Sequence, residues 1–292
     1  MRSLQIRHLG LTTFFVFLSC CHLLAQPAAK QIGKDLYAYI SDNDASSNSM
    51  FLVGDKGILV VDTGLNGTEG EKLLSAIRQI SKLPVKYIVN THYHPDHQGG
   101  NRTVGPDAIV ISTDFTRDRT LAIAQSPSMK TFHFQPADLT FQHKITIHLS
   151  SHPVEIFFPG KAHTSGDALV YFPDQQAIAM GDLFLNRSCP AMDDGSAENW
   201  IHALDQVLQL PIESAVPGHF AIGTRADLQR FHDYLNDLYQ QVAAMKQKGE
   251  SLDQVRRNLH LEKYADFRQY PKYEATFADN AATIYNQLAL SP

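Results

Sequence analysis

An α/β fold, with two sheets packed face to face and helices outside, is the architecture this sequence predicts. Three observations lead to it. The chain is 292 residues long and 43% apolar, enough to bury a large core as one unit. Short apolar or alternating runs, bounded by tight turns, read as strands. Helical patterns interleave with these runs in two similar halves.

The composition is that of an ordinary globular protein. It carries a formal net charge of −5 with 19% charged residues and no long Lys/Arg run, which argues against nucleic acid as a partner. Three cysteines without a CxxC pair exclude a disulfide scaffold or a structural zinc knuckle. Histidine stands out, with fourteen residues.

Residues 1–25 read as an export signal: Arg2 and Arg7 precede an apolar stretch, Leu9 to Leu18, and small Ala25 suits a cleavage position. The stretch is shorter than the roughly 20 residues a membrane span needs. No stable membrane insertion is therefore expected after cleavage, and the protein is read as periplasmic or secreted. Cys20 and Cys21 leave lipoprotein anchoring as the alternative. Cleavage after Ala25 leaves Cys189 as the one cysteine, so an oxidising compartment poses no folding problem. Residues 26–292 are read as one domain, with a helical extension from about 224 to 292.

Along that domain, strands are expected at Leu36–Ile40, Met50–Val53 and Ile58–Val61. A helix follows, because Leu73, Leu74, Ile77 and Ile80 recur at helical spacing, with Thr68 and Glu71 suited to a capping box. Val85–Val89 and Ala108–Ser112 read as further strands. Residues 113–138 hold a helix and then a polar stretch. Strands resume at Leu139–Leu149, Val154–Phe158, Ala168–Phe172 and Ala177–Met180. Helical patterns follow at Ala197–Leu210, Ala226–Gly249 and Phe277–Leu290.

The chemistry is concentrated in Thr91-His92-Tyr93-His94-Pro95-Asp96-His97-Gln98-Gly99-Gly100, directly after a buried strand. Four candidate ligands lie within six residues. Pro95 and the glycine pair keep the backbone irregular, so the side chains can converge. Imidazoles with a carboxylate suit zinc and other first-row divalent metals. A fortuitous surface run would stand alone, but His163, Asp182 and His219 each sit in a loop after a strand-like segment, where sites are usually built.

These motifs resemble the metallo-β-lactamase superfamily: HxHxDH at His92–His97, then His163, Asp182 and His219, with Val60-Val61-Asp62-Thr63-Gly64 upstream. The resemblance spans roughly residues 34–222. It implies a four-layer αβ/βα sandwich, here with additional C-terminal helices, and two zinc ions per chain at one edge of the sheets, with iron or manganese as alternatives. Carried over by position, His92, His94 and His163 hold the first metal, and Asp96, His97 and His219 the second. Asp182 bridges them, while Asp62 orients the histidine loop without touching metal. Asp96 also serves catalysis by orienting the nucleophile and shuttling its proton. Asp167 caps the turn after His163 and is no ligand.

The implied activity is hydrolysis of a carbonyl ester, thioester, lactone or cyclic amide of β-lactam type by a metal-bridging hydroxide. Two alternatives stay open: a mononuclear-iron oxygenase acting on persulfides, and a class B-like β-lactamase proper. Asp182 stands where exported β-lactamases of the superfamily often carry cysteine, which points away from the second. Leu185 stands where the family's lactonases usually carry tyrosine. The partner expected is a small-molecule substrate. The polar loop Ser41–Ser49 is placed to reach over the metals, and Arg187 is a candidate for binding a substrate carboxylate. Trp200 shares a helical pattern with Ile201, Leu204 and Leu208, so it is assigned to the core.

Overall fold

The computed structural model describes residues 28–149, 152–269 and 273–288; the expected export signal lies outside the described residues. The first sheet has seven strands in chain order: β1 (Lys30–Gly33), β2 (Leu36–Tyr39), β3 (Ser49–Val53), β4 (Ile58–Val61), β5 (Val85–Val89), β6 (Ile109–Thr113) and β7 (Leu139–Phe141). Pairing is antiparallel from β1 to β4 and parallel from β4 to β7. The second sheet holds β8 (Lys144–Leu149), β9 (His152–Phe157), β10 (Leu169–Phe172), β11 (Ala177–Ala179) and β12 (Ser214–Val216). Its order is β12-β11-β10-β9-β8, with β12 parallel to β11 and the other pairs antiparallel.

Between the sheets lie Leu52, Leu59, Val61 and Val89 from one side and Ile156, Val170, Phe172 and Val216 from the other. Side chains alternate along a strand. The neighbours Phe51, Ile58 and Val60 therefore face the opposite way, onto Leu73 and Ile77 of α1 (Gly67–Ile80). Strands covered on both faces must be apolar throughout, which is why β4 reads ILVV. On the outer face of the second sheet, Tyr171 and Ile178 pack beneath Trp200, Leu204, Phe231 and Leu235. The layers thus run helix, sheet, sheet, helix, as expected.

The short helices α2 (Pro95–Gln98) and α3 (Asn101–Val104) follow β5, and α4 (Asp114–Ala124) follows β6. The second helical layer begins with α5 (Ala197–Val207) and the long α6 (Arg225–Gln247). It ends with α7 (Leu252–Asn258), a 3-10 segment (Glu262–Gln269) and α8 (Tyr273–Gln287). Thr224 and Asp227 form a reciprocal capping box that starts α6.

Three expectations need correction. The run Leu139–Leu149 is two strands in different sheets, β7 and β8, because the chain turns between them at Gln142-His143 while the apolar pattern continues. The cap of α1 is Asn66, whose side chain accepts from Glu69 N–H, rather than a box of Thr68 and Glu71. Strand β1 and helix α7 were not expected. β1 is a polar edge strand, and α7 is a short helix with one fully buried apolar residue, Val255.

The topology brings five loops to one edge. Asp62 follows the C-terminal end of β4, and the histidine loop follows that of β5. Asp182 follows β11, and His219 follows β12. His163 precedes β10, whose antiparallel pairing with β11 places its start at the same edge. Gly99 and Gly100 let the histidine loop lie on the turn after Asp62: a Cβ on Gly99 would stand 1.9 Å from Leu65 O, and one on Gly100 2.2 Å from Thr63 O. Gly99→Ala should therefore destabilise the protein by about 1–3 kcal/mol. Urea unfolding measures this, and an unchanged midpoint would contradict the close packing.

Candidate metal centre

Asp62 organises the edge. Its backbone takes a left-handed conformation, φ 54°, tolerable for Asp, and turns the carboxylate onto the histidine loop. Oδ1 accepts from Thr91 N–H at 2.8 Å, and Oδ2 accepts from the Thr91 hydroxyl at 2.7 Å and lies 2.7 Å from His97 Nδ1. An ionised carboxylate only accepts, so His97 Nδ1 carries the hydrogen. The Thr91 hydroxyl, having donated to Asp62, accepts in turn from His92 Nδ1 at 3.1 Å.

The other imidazoles are oriented in the same way. His163 Nδ1 donates to Ala191 O at 3.2 Å, and His94 Nε2 lies 3.4 Å from Asp194 Oδ2. Each outer nitrogen is thus a donor, which leaves His92 Nε2, His94 Nδ1 and His163 Nε2 with lone pairs. These three atoms converge: His94 Nδ1 is 3.0 Å from His92 Nε2 and 3.2 Å from His163 Nε2. Lone pairs facing one another without a hydrogen repel. A tetrahedral zinc with nitrogens at 2.0–2.1 Å would hold them about 3.3 Å apart, so the donors fit such an ion.

A second group stands beside the first. Asp96 Oδ2 is 3.1 Å from His219 Nε2 and 3.4 Å from His97 Nε2. Asp182 lies between: Oδ2 is 3.6 Å from His163 Nε2, while Oδ1 is 3.3 Å from His97 Nε2 and 3.5 Å from His219 Nε2. His97 Nε2 and Asp182 Oδ1 are both buried and neither makes a hydrogen bond. Two buried polar atoms without partners, aimed at a shared point, are what a cation would satisfy. The ligand-type atoms of His92, His94, His163 and Asp182, and those of Asp96, His97 and His219, fall into two sets, each within 4.8 Å.

Comparison with known proteins identifies the family. Residues 42–219 match the metallo-β-lactamase superfamily model. The chain belongs to the metallo-β-lactamase superfamily. It is 27% identical over 203 residues to a type 2 metallo-β-lactamase of Bacillus cereus, covering 68% of this chain and 76% of that one. It is 24% identical over 233 residues to the α subunit of a 2,4-dinitroanisole O-demethylase from a Nocardioides strain, covering 78% of this chain and 66% of the relative. A solved metallo-β-lactamase from Pontibacter korlensis superposes with TM-score 0.61 at 25% identity, over 71% of this chain and 98% of that one. The mono-zinc metallo-β-lactamase FIM-1 of Pseudomonas aeruginosa shares the fold, with TM-score 0.61 at 18% identity over 72% and 94% of the two chains. The protein is thus a metal-dependent hydrolase of this superfamily.

The remaining sequence-predicted residues fall as follows. Asp167 accepts from Thr164 N–H at 2.8 Å and its hydroxyl at 2.6 Å, closing the turn after His163, and burial pushes its carboxyl up to about 7. Trp200 is buried, donates from Nε1 to Leu183 O at 2.9 Å, and lies edge-on to the His163 ring at 5.5 Å. The Ser41–Ser49 loop touches the site through its backbone: Ser47 N–H donates to Asp96 O, and Asn48 N–H to Gly218 O. Arg187 is 62% exposed and 3.7 Å from Asp227 at the start of α6, so the contact it makes is a surface ion pair.

Sequence reasoning missed Thr91, Tyr93 and Asp194. The Tyr93 hydroxyl donates to Asp194 Oδ2, and the Arg119 guanidinium lies over the Tyr93 ring at 4.9 Å. The acidic pair Asp193-Asp194 was a visible signal, but nothing in the sequence paired it with His94.

The two groups differ electrostatically. Burial, with the neighbouring His97, His94 and His163, holds His92 well below the ordinary histidine value, and burial pushes His163 down to about 4. Burial opposes charge on His97 as well, but Asp182, Asp96 and Asp62 overcome it and raise His97 well above its ordinary value. Against the same penalty, Asp182 and Asp96 raise His219. Burial would raise Asp96, yet the His97 charge and the His219 bond hold it well below the carboxylate range. A metal at the second group must displace protons from His97 and His219, whereas His92 and His163 are already neutral near pH 7. As pH falls, metal should leave the second group at a higher pH than the first, because protons compete more strongly for His97 and His219 than for His92 and His163. Metal content against pH, by elemental analysis after desalting, should show two steps; a single step would contradict the assignment.

Proposed function

We propose that the protein is an exported two-zinc hydrolase that cleaves a carbonyl ester, thioester, lactone or cyclic amide. The observation that carries this reading is Asp182, one oxygen of which faces each ligand group. His92, His94 and His163 would hold the first metal, Asp96, His97 and His219 the second, and Asp182 would bridge them. When bound, such a pair supplies a water of lowered pKa and a Lewis acid for the scissile carbonyl.

The chain's own residues supply the rest. Asp96 stays ionised at neutral pH and is partly exposed, so its carboxylate can take the proton of the attacking water and hand it to the leaving group. Asp62 and Thr91 hold the histidine loop so that the ligand atoms need not reorganise as charge develops. The Ser41–Ser49 loop, anchored on Asp96 O and Gly218 O, forms a polar wall beside the site. Gly218 keeps Asp182 in place, because a Cβ there would stand 1.9 Å from its Oδ1. Among the described residues no helix is long and apolar enough to cross a membrane.

The β-lactamase relatives place cyclic amides among the substrates to try, and the demethylase relative adds 2,4-dinitroanisole. Two complete ligand groups favour a dinuclear hydrolase over a one-iron oxygenase.

Elemental analysis of the purified protein should give two zinc ions per chain, with turnover on a panel of esters, thioesters, lactones and β-lactams. One iron per chain with oxygen uptake, or full zinc loading with no hydrolysis, would overturn the reading. Asp96→Asn should lower kcat/KM on the order of 100-fold or more. Asp182→Asn should weaken the second metal more than the first in chelator competition, and equal weakening would contradict the bridge.

A further inference from the structure

The segment 188–196 makes little regular structure, yet it supplies the outer partners of two imidazoles. Ala191 O accepts from His163 Nδ1, and Asp194 Oδ2 faces His94 Nε2. Its own backbone bonds are few: Ser188 N–H to Leu185 O, Gly195 N–H to Met192 O, Ser196 N–H to Ala162 O, and Trp200 N–H to Ser196 O where α5 begins. The Tyr93 hydroxyl holds the Asp194 carboxylate, and the C-terminal helices fix the backbone on either side of it. Asn280 on α8 is buried, and its Nδ2 donates to Pro190 O at 2.6 Å and to Cys189 Sγ at 3.3 Å. Two turns along the same helix, Gln287 Nε2 donates to Gly195 O at 2.7 Å. From α6, the Tyr234 hydroxyl donates to Cys189 Sγ at 3.1 Å.

The two α8 anchors grip the segment at its ends, and both histidine partners lie between them. The family match stops at residue 219, so these anchors lie beyond the segment it covers.

We infer that α8 is a positioning element for the first metal group: Asn280 and Gln287 hold Ala191 O and Asp194 where they fix the His163 and His94 rings. This rests on the proposed ligand set, since it concerns the affinity of that set. An imidazole whose outer nitrogen is tied presents its inner lone pair in one direction. Freeing the segment lets both rings rotate, and loss of such outer partners typically costs about 10–100-fold in metal affinity. Cys189 is part of the anchor rather than a reactive thiol, because burial pushes it up to about 12.

The test uses the full-length protein and two variants that keep shape but lose the donor, Asn280→Asp and Gln287→Glu. Ile284→Ala, a buried position of α8 facing the core, serves as the stability control. Cobalt(II) is titrated into each against a competing chelator, and its visible absorption bands report the ligand geometry. Both donor variants should bind the first cobalt about tenfold or more weakly with altered bands. Ile284→Ala should lower the thermal midpoint but leave affinity and spectrum unchanged. If Asn280→Asp fails to fold, the half-buried Gln287→Glu carries the comparison.

Unchanged affinity and spectrum in the donor variants would overturn the inference, as would equal losses in Ile284→Ala. Failure of the hydrolytic reading looks different: the wild-type protein would bind two metals and turn over nothing, while the cobalt comparison would still report on α8. A wild-type chain that binds no cobalt would overturn both.

Discussion

Lone pairs that face one another without a hydrogen between them are the constraint around which the molecule is arranged. His92, His94 and His163 meet through bare nitrogens at 3.0 and 3.2 Å. Each such atom costs on the order of 1–3 kcal/mol when buried unpaired. A folded chain keeps several together only if surrounding structure enforces it and a cation repays it. The enforcement is visible in Asp62, in the Thr91 hydroxyl that relays its hold to His92, and in Gly218, which leaves room for Asp182. The donor set itself calls for the cation.

The layered fold explains why these atoms collect where they do. Strands β4, β10 and β11 are buried along their whole length, so charged side chains are tolerated only where these strands end. Parallel pairing of β4 with β5, and of β11 with β12, puts their C-terminal ends on a common edge. The loops leaving that edge can therefore be polar and irregular while the sheets beneath stay rigid, which is the combination a preorganised site needs.

Much of this was legible in the residues, and what was not has a physical cause. Ile58–Val61, a continuous apolar run, and Val85–Val89, apolar but for Lys86, were placed to the residue, because short apolar segments bounded by turn residues admit few other readings. His92, His94, Asp96, His97, His163, Asp182 and His219, expected to converge, are brought together. The β7–β8 boundary was invisible because the apolar pattern continues through a change of sheet. β1 was missed because it pairs on one side only and needs no apolar signature. Asp194 could not be paired with His94 from sequence, since their contact spans a hundred residues and depends on where a loop without periodicity is pinned. Arg187 looked suited to a substrate because of its distance from Asp182 in sequence. In the fold it is exposed and paired with Asp227, a partner supplied by the capped start of α6.

Neither half of the chain builds a ligand group alone. The first group takes His92 and His94 from the loop after β5 and His163 from the second sheet. The second takes Asp96 and His97 from the first half and His219 from the loop after β12. Whatever holds the two sheets in register therefore also sets the spacing of the donors, and a metal bound across them ties the sheets together at the edge the core does not reach. Binding only to the packed arrangement would add to its stability by mass action. The Ser41–Ser49 loop works in the same direction without a metal. It leaves the first sheet at β2, and Asn48 donates to Pro217 O, Gly218 O and Phe220 O in the loop after β12. Packing between the sheets and assembly of the site are thus one structural event seen from two sides.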